Sequence, residues 1–149
     1  MKRFKQALAT LGIAAVVVAV VGLIVMVTGI VPIKASDGHW EITKWVLDFS
    51  KRRSVATHSA GIDPPGGLDE QRRIVQGAGH YETGCVQCHG SPLLLQPTIP
   101  QAMTPTPPQL QDRIDRWEAA ELFYSTKHGS KVRGMPAFPS QQRNDEAWA

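Results

Sequence analysis

Cys85-Val86-Gln87-Cys88-His89 is the stretch that decides how this chain is read. Two thiols three residues apart, with an imidazole directly after the second, form the attachment pattern for a c-type haem. Helical geometry accounts for the spacing. Positions i, i+3 and i+4 share a face, so Cys85 and Cys88 can each bond a haem vinyl carbon while His89 turns under the iron as its ligand. Two other uses of CxxC fit less well. A structural zinc site needs two further Cys or His at a matching second spacing, and the chain has two cysteines in all and no paired histidines. A redox dithiol belongs beside a βαβ pattern, and almost no alternating strand pattern is present. One covalently attached haem c is the expected cofactor.

Outward from the motif, the 149 residues show one composition break, which leaves room for a membrane segment and one small domain. Ala7 to Ile33 carries no charge, and only Thr10 and Thr28 have polar side chains there. Such a run, at about 1.5 Å per residue, exceeds the roughly 30 Å hydrocarbon core of a bilayer. An uncleaved anchor is expected. A signal peptide would have a shorter apolar core and an A-x-A-like site, and cleavage after Ala35 is the weaker alternative. Lys2, Arg3 and Lys5 precede the span, so the positive-inside rule keeps the N-terminus cytoplasmic. The expected location is the bacterial inner membrane, single-pass, with the rest of the chain in the periplasm, where haem is attached to cysteine.

The formal charge of +3 divides unevenly. With the three cations of the stub set aside, residues 34–149 hold thirteen Lys and Arg against thirteen Asp and Glu. The basic balance belongs to the cytoplasmic end and gives no case for nucleic-acid binding.

After Pro32, Ile42, Trp45, Val46 and Phe49 recur at i, i+3, i+4 and i+7, predicting an amphipathic helix from about His39 to Arg53. Trp40, Trp45 and Lys51-Arg52-Arg53 suit a membrane interface; packing on the remaining domain or on a partner subunit fits the pattern equally. Ala56 to Leu68, with its glycines and prolines, predicts a linker. This gives three regions: 1–33, stub and transmembrane anchor; 34–67, juxtamembrane helix and linker; 68–149, haem domain.

Within the last region, Asp69 and Glu70 suit the first turn of a helix that carries Ile74, Gly77, Ala78 and Tyr81 inward and runs to Cys85. Six prolines between Ser91 and Leu110 exclude a regular helix or central strand and predict an irregular loop over one haem edge. Asp115 to His128 predicts a helix stopped by Gly129. Gly134-Met135-Pro136-Ala137-Phe138-Pro139 is a tight loop presenting a thioether, and Asn144 is placed to cap a helix opening at Asp145. His39, His58 and His80 read as surface histidines.

Taken in order, a helix bearing Gly77 and Tyr81, the Cys85 to His89 motif, Pro108 to Leu110, a Trp117 to Gly129 helix and the Gly134-Met135-Pro136 loop resemble the class I single-haem cytochromes c. The likeness is strongest to the small domains of membrane-anchored bacterial cytochrome c subunits. It implies an all-α fold in which Cys85 and Cys88 hold the haem, His89 is the proximal ligand and Met135 the distal one. Spacing favours Met135, which is far enough along the chain for a loop, a helix and a return to the opposite haem face. Met103, His128 and an open site remain the alternatives. In the family a C-terminal helix crosses the first haem helix near Gly77 and Tyr81, and here only its first turn is present, so the expected C-terminal helix is incomplete.

His and Met ligation fills both axial positions and implies an electron carrier without catalytic residues. The expected partners are membrane lipid, a periplasmic dehydrogenase or quinol-oxidising complex as donor, and a terminal oxidase or soluble cytochrome as acceptor. Lys127, Lys131 and Arg133 flank the ligand loop, either as a cationic docking rim or as ordinary solvated charge. Two other functions stay open: a haem enzyme or gas sensor with an open distal position, and an anchoring or assembly subunit whose Trp40 to Phe49 segment recruits a partner.

Overall fold

The computed structural model describes residues 2–138 and 144–149. It divides into two units, Met1–Lys34 and Ala35–Ala149. The first is helix α1, Lys2–Thr28, with no buried residue. It is long and apolar enough to cross a membrane. Its two hydroxyls turn back into the helix: Thr10 donates to the Gln6 carbonyl at 3.0 Å and Thr28 to that of Ile24 at 2.7 Å. Neither is left needing water, as a bilayer interior demands. The helix stops earlier than Ile33 because Gly29 takes a left-handed conformation, φ 63°, which a glycine adopts without cost.

The second unit is helical and contains no strand among the described residues, so the all-α expectation is borne out. Helix α2, Glu41–Ser59, runs beyond the predicted end at Arg53 and takes up the first residues of the predicted linker. Packing supplies the reason. Leu47, Lys51, Val55 and Ser59 recur every fourth residue and are half-buried or buried, and α2 lies against the later helix Ala119–His128. Val55 and Ser59 close this stripe at 6% exposure each. The apolar set that predicted the helix, Ile42, Trp45, Val46 and Phe49, lies on the opposite side and is exposed.

Helix α3, Gln71–Gly84, turns Gly77 and Tyr81 inward, whereas Ile74 and Ala78 are exposed. The inward face is rotated toward Arg73 and His80, and His80 is half-buried rather than on the surface. Its ring meets Phe138 edge-on at 5.5 Å. Helix α4, Val86–His89, carries the motif. The proline-rich segment forms one helical turn, α5, Thr98–Gln101. Pro100 is its third residue, where an N–H has no intrahelical acceptor to lose.

Helix α6, Ala119–His128, begins four residues later than predicted. Glu118 caps it: its side chain accepts from the backbone of Glu121, whose carboxylate accepts the Glu118 N–H at 3.0 Å. A capping box satisfies two otherwise orphaned donors, and the extended Trp117 before it belongs to no helix. Helix α7, Asn144–Ala147, is the single turn expected at the C-terminal end. After it Trp148 stacks on Phe123, ring centroids 4.2 Å apart and 14° from parallel. The Ala149 carbonyl lies so close to Gly77 that a Cβ there would collide with it, so the terminal turn packs on α3 at the glycine. Pro139, the last residue of the predicted ligand loop, lies outside the described residues.

Phe123, Val55 and Pro100 are the buried apolar side chains among the described residues. Phe123→Ala removes the ring on which Trp148 rests and is expected to cost about 3–5 kcal/mol. Thermal unfolding of the full-length holoprotein checks this, with Leu93→Ala, at an exposed leucine, as the near-neutral control.

Candidate functional site

The motif sits where α3 gives way to α4. The Cys85 N–H still donates to the Tyr81 carbonyl at 2.9 Å, as a continuing helix would, and the N–H groups of Cys88 and His89 both return to the Cys85 carbonyl at 3.0 and 2.9 Å. One helical turn therefore holds both thiols and the imidazole, and both cysteines are half-buried and unpaired. Burial, then the neighbouring Cys88, pushes the Cys85 thiol up from its ordinary value. Burial, then Cys85, pushes the Tyr81 phenol up. Tyr81 thus keeps its proton near neutral pH and donates to the Gly90 carbonyl at 2.6 Å. Gly90 ends the turn at φ 67°, and a Cβ there would press on the backbone of Leu94 and Gln96 at 3.0 Å.

His89 Nδ1 lies 2.7 Å from the Pro108 carbonyl oxygen. A carbonyl can only accept, so Nδ1 carries the proton and the Nε2 lone pair is left for a metal. Ligating histidines are commonly oriented through the other ring nitrogen in this way.

Gln96 holds the loop that supplies this carbonyl. Its side-chain amide donates to Cys88 O at 2.5 Å and Pro107 O at 3.0 Å, and its own carbonyl accepts from Gln101 Nε2 at 2.5 Å. At 7% exposure it is a buried polar clamp joining α4, α5 and the Pro107-Pro108 strip. Sequence reasoning missed it, because one glutamine in a proline-rich loop carries no pattern.

Met135 lies on a loop fastened at both ends to α6. The Gly129 N–H donates to Ser125 O at 2.9 Å, Ser130 donates to Met135 O at 2.9 Å, and Phe138 N–H reaches the carbonyls of Thr126 and Lys127 at 3.2 and 3.3 Å. Gly129 has φ 66° and ψ −162°, a region essentially confined to glycine. A Cβ there would run into the carbonyls of Met135 and Pro136. The end of the Met103 side chain lies beside Gly134, its methyl carbon 3.7 Å from where a Cβ would stand. Both thioethers therefore come to the same loop.

Of the other expected site residues, Lys127 donates to Asn144 Oδ1 at 2.5 Å and lies over the Phe123 ring. Arg133 is paired with Asp48 of α2, and its Nε is buried without a partner among the described residues. Lys131 is exposed. His128 ends α6 in a run of rings, with Tyr124 4.8 Å from it and His58 5.7 Å from Tyr124. Among the described residues no three His, Cys, Asp or Glu gather as a metal cluster. Two thiols and an oriented imidazole on one turn fit a haem held through cysteine, and a separate clamped loop carries a thioether.

The comparisons agree with this chemistry. Residues 72–149, just over half of the chain, match the family model described as cytochrome C oxidase, cbb3-type, subunit III. No curated protein and no solved structure matches significantly.

Gln96→Ala leaves the Cys88 and Pro107 carbonyls without their donor and is expected to cost about 1–3 kcal/mol. The loss is read as a lower midpoint in denaturant unfolding of the holoprotein. Gly129→Ala is expected to displace the Met135 loop while the turn from Cys85 to His89 stays in place, read as a change in hydrogen exchange confined to residues 129–138.

Proposed function

The chain belongs to the cbb3-type cytochrome c oxidase subunit III family, and on that premise we propose that it is a membrane-anchored single-haem electron carrier. It takes electrons from a periplasmic dehydrogenase or quinol-oxidising complex and passes them to an acceptor such as a terminal oxidase. The observation that carries the reading is the His89 Nδ1 to Pro108 carbonyl bond, which leaves one imidazole nitrogen aimed for axial ligation.

A bound haem supplies one-electron exchange at its iron. The protein does the rest. Cys85 and Cys88 hold the group through their sulphurs, and a covalent attachment to one rigid turn keeps it from being lost in either oxidation state. His89 gives Nε2, with its basicity raised by the Pro108 carbonyl. Met135 gives a thioether, which favours the reduced state relative to a second imidazole. Were His89 and Met135 both to hold the iron, the group would serve electron exchange rather than substrate binding. Arg133, paired with Asp48 through its terminal nitrogen and with a buried Nε free of protein partners among the described residues, would be a cation available to a haem carboxylate. Helix α1 spans the inner membrane and keeps the domain beside its partners in the periplasm. The name of the family refers to an oxidase subunit, which favours an oxidase as acceptor.

Methionine substitutions test the ligand set. Met135→Ala is expected to abolish the thioether charge-transfer band, lower the midpoint potential and admit carbon monoxide to the ferrous protein; Met103→Ala is expected to change none of these. The reverse pattern would move the distal ligand to Met103. Rapid carbon monoxide binding by the unaltered protein would favour an open-site enzyme or sensor.

Docking is the second test. Arg133 is paired with Asp48, whereas Lys127 meets only the neutral amide of Asn144, so any steering charge on this rim rests on Lys127 and on the more exposed Lys131. Lys131→Glu should slow electron transfer several-fold at low ionic strength and flatten its dependence on salt. Equal rates at all salt concentrations would leave the rim as solvated charge.

A further inference from the structure

We propose that the outer face of α2 is a second membrane contact, lying in the interface of an anionic bilayer. The two sides of this helix are unlike. One packs on α6 through the stripe ending at Val55 and Ser59. On the other, Ile42, Trp45, Val46 and Phe49 stand 64, 62, 44 and 55% exposed, and the rings of Trp45 and Phe49 stack at 5.6 Å. Helical spacing brings Arg52 and Arg53 onto this same face in the next turn, and both are exposed. Trp40, 73% exposed, precedes it at the helix start.

Three features choose a lipid surface over a protein partner or a second copy. The first is charge. The carboxylates of α2 are Glu41 and Asp48, and each is paired, with Lys44 and Arg133 respectively. The face therefore presents apolar rings and unopposed arginines, which suits anionic head groups. The second is composition: two tryptophans stand at the end of the helix nearest the anchor in sequence, and tryptophan favours the head-group level. The third is connectivity. Twelve residues, 29–40, join α1 to α2, so the start of α2 stays within about 40 Å of the end of α1 even with the link fully extended. An apolar face on so short a leash meets the bilayer before it meets anything soluble.

The consequence reaches the haem domain. Asp48, on the edge of the packed side, pairs with Arg133, two residues before Met135. A membrane-seated α2 would fix the ligand loop, and the domain with it, at a set height and tilt above the lipid.

The test uses the full-length holoprotein, reduced to the ferrous state, in nanodiscs of phosphatidylcholine with or without phosphatidylglycerol. A nitroxide is attached in turn at Phe49→Cys, at Ser54→Cys on the far side of the helix, and at Val18→Cys within α1. The expected result, in anionic discs, is a several-fold higher ratio of oxygen to water-soluble chelate collisions at position 49 than at 54. Arg52→Glu with Arg53→Glu should bring position 49 down to the value at 54. Position 18 reports on the anchor separately, so failure of α1 to insert is distinguishable from failure of α2 to seat. Chelate access at 49 equal to that at 54 in both lipids would overturn the proposal. So would protection that ignores lipid charge, or protection accompanied by dipolar broadening between copies, which would mark a self-association face.

Discussion

The 2.7 Å contact between His89 Nδ1 and the Pro108 carbonyl is the constraint on which the rest of the site depends. It chooses the tautomer, sets the ring plane and leaves Nε2 as the free lone pair. An imidazole that begins a flexible loop could not be relied on to do this alone. The carbonyl comes from nineteen residues further along the chain, so the intervening segment must be held in one course. The prolines reduce the freedom that segment has when unfolded, and the buried Gln96 ties its far end back to Cys88. A polar clamp of this kind is stable because the amide finds an acceptor for each proton it turns inward.

The loop that carries Met135 is built on α6 and reinforced from α2. Gly129 lets the chain leave α6 at once and return as an antiparallel bridge, Ser130 against Met135, while Phe138 N–H satisfies the last helical carbonyls. The rings of His58, Tyr124 and His128 join α2 to α6, and Lys51 covers the Trp117 ring at 5.0 Å. Burial, then Arg52, then Arg113 lowers the Lys51 pKa from its ordinary value, so charge at this position is costly and the aromatic face offsets part of that cost. Helix α2 therefore belongs to the same compact unit as the motif, and its register bears on the Met135 loop through Asp48 and Arg133.

What could be read in the sequence and what could not divide along physical lines. The turn from Cys85 to His89 and the long apolar helix α1 were legible because each is written in consecutive residues. The all-α class came from the resemblance to class I cytochromes c, with which the scarcity of alternating pattern agreed. Ends and faces were less accessible. Helix α6 starts at a glutamate cap, outside the usual Ser, Thr, Asp and Asn set, and α2 continues to Ser59 because Val55 and Ser59 find tertiary partners that local sequence does not announce. The periodic set Ile42, Trp45, Val46 and Phe49 foretold a helix correctly, yet the buried side is the one containing Thr43, Leu47 and Lys51. Gln96 and the Pro108 carbonyl had no sequence signal, since one is a single polar side chain and the other a backbone atom.

That reversal of faces on α2 has an energetic meaning. A domain of this size has little apolar area to spare, and the buried apolar side chains among the described residues are Val55, Pro100 and Phe123. Turning two tryptophans, a phenylalanine, an isoleucine and a valine outward forgoes the stabilisation that each would give in a core, about 1.5–3 kcal/mol for a fully buried large side chain. Selection for domain stability alone would rotate α2 by half a turn. The stripe that is buried instead mixes Leu47 and Val55 with Lys51 and Ser59, a weaker seam that relies on ring stacking and on the Asp48 to Arg133 pair. An arrangement with that internal cost is consistent with an external surface that repays the exposed area, and it means that the docking of α2 on α6 and the environment of its outer face are parts of one equilibrium.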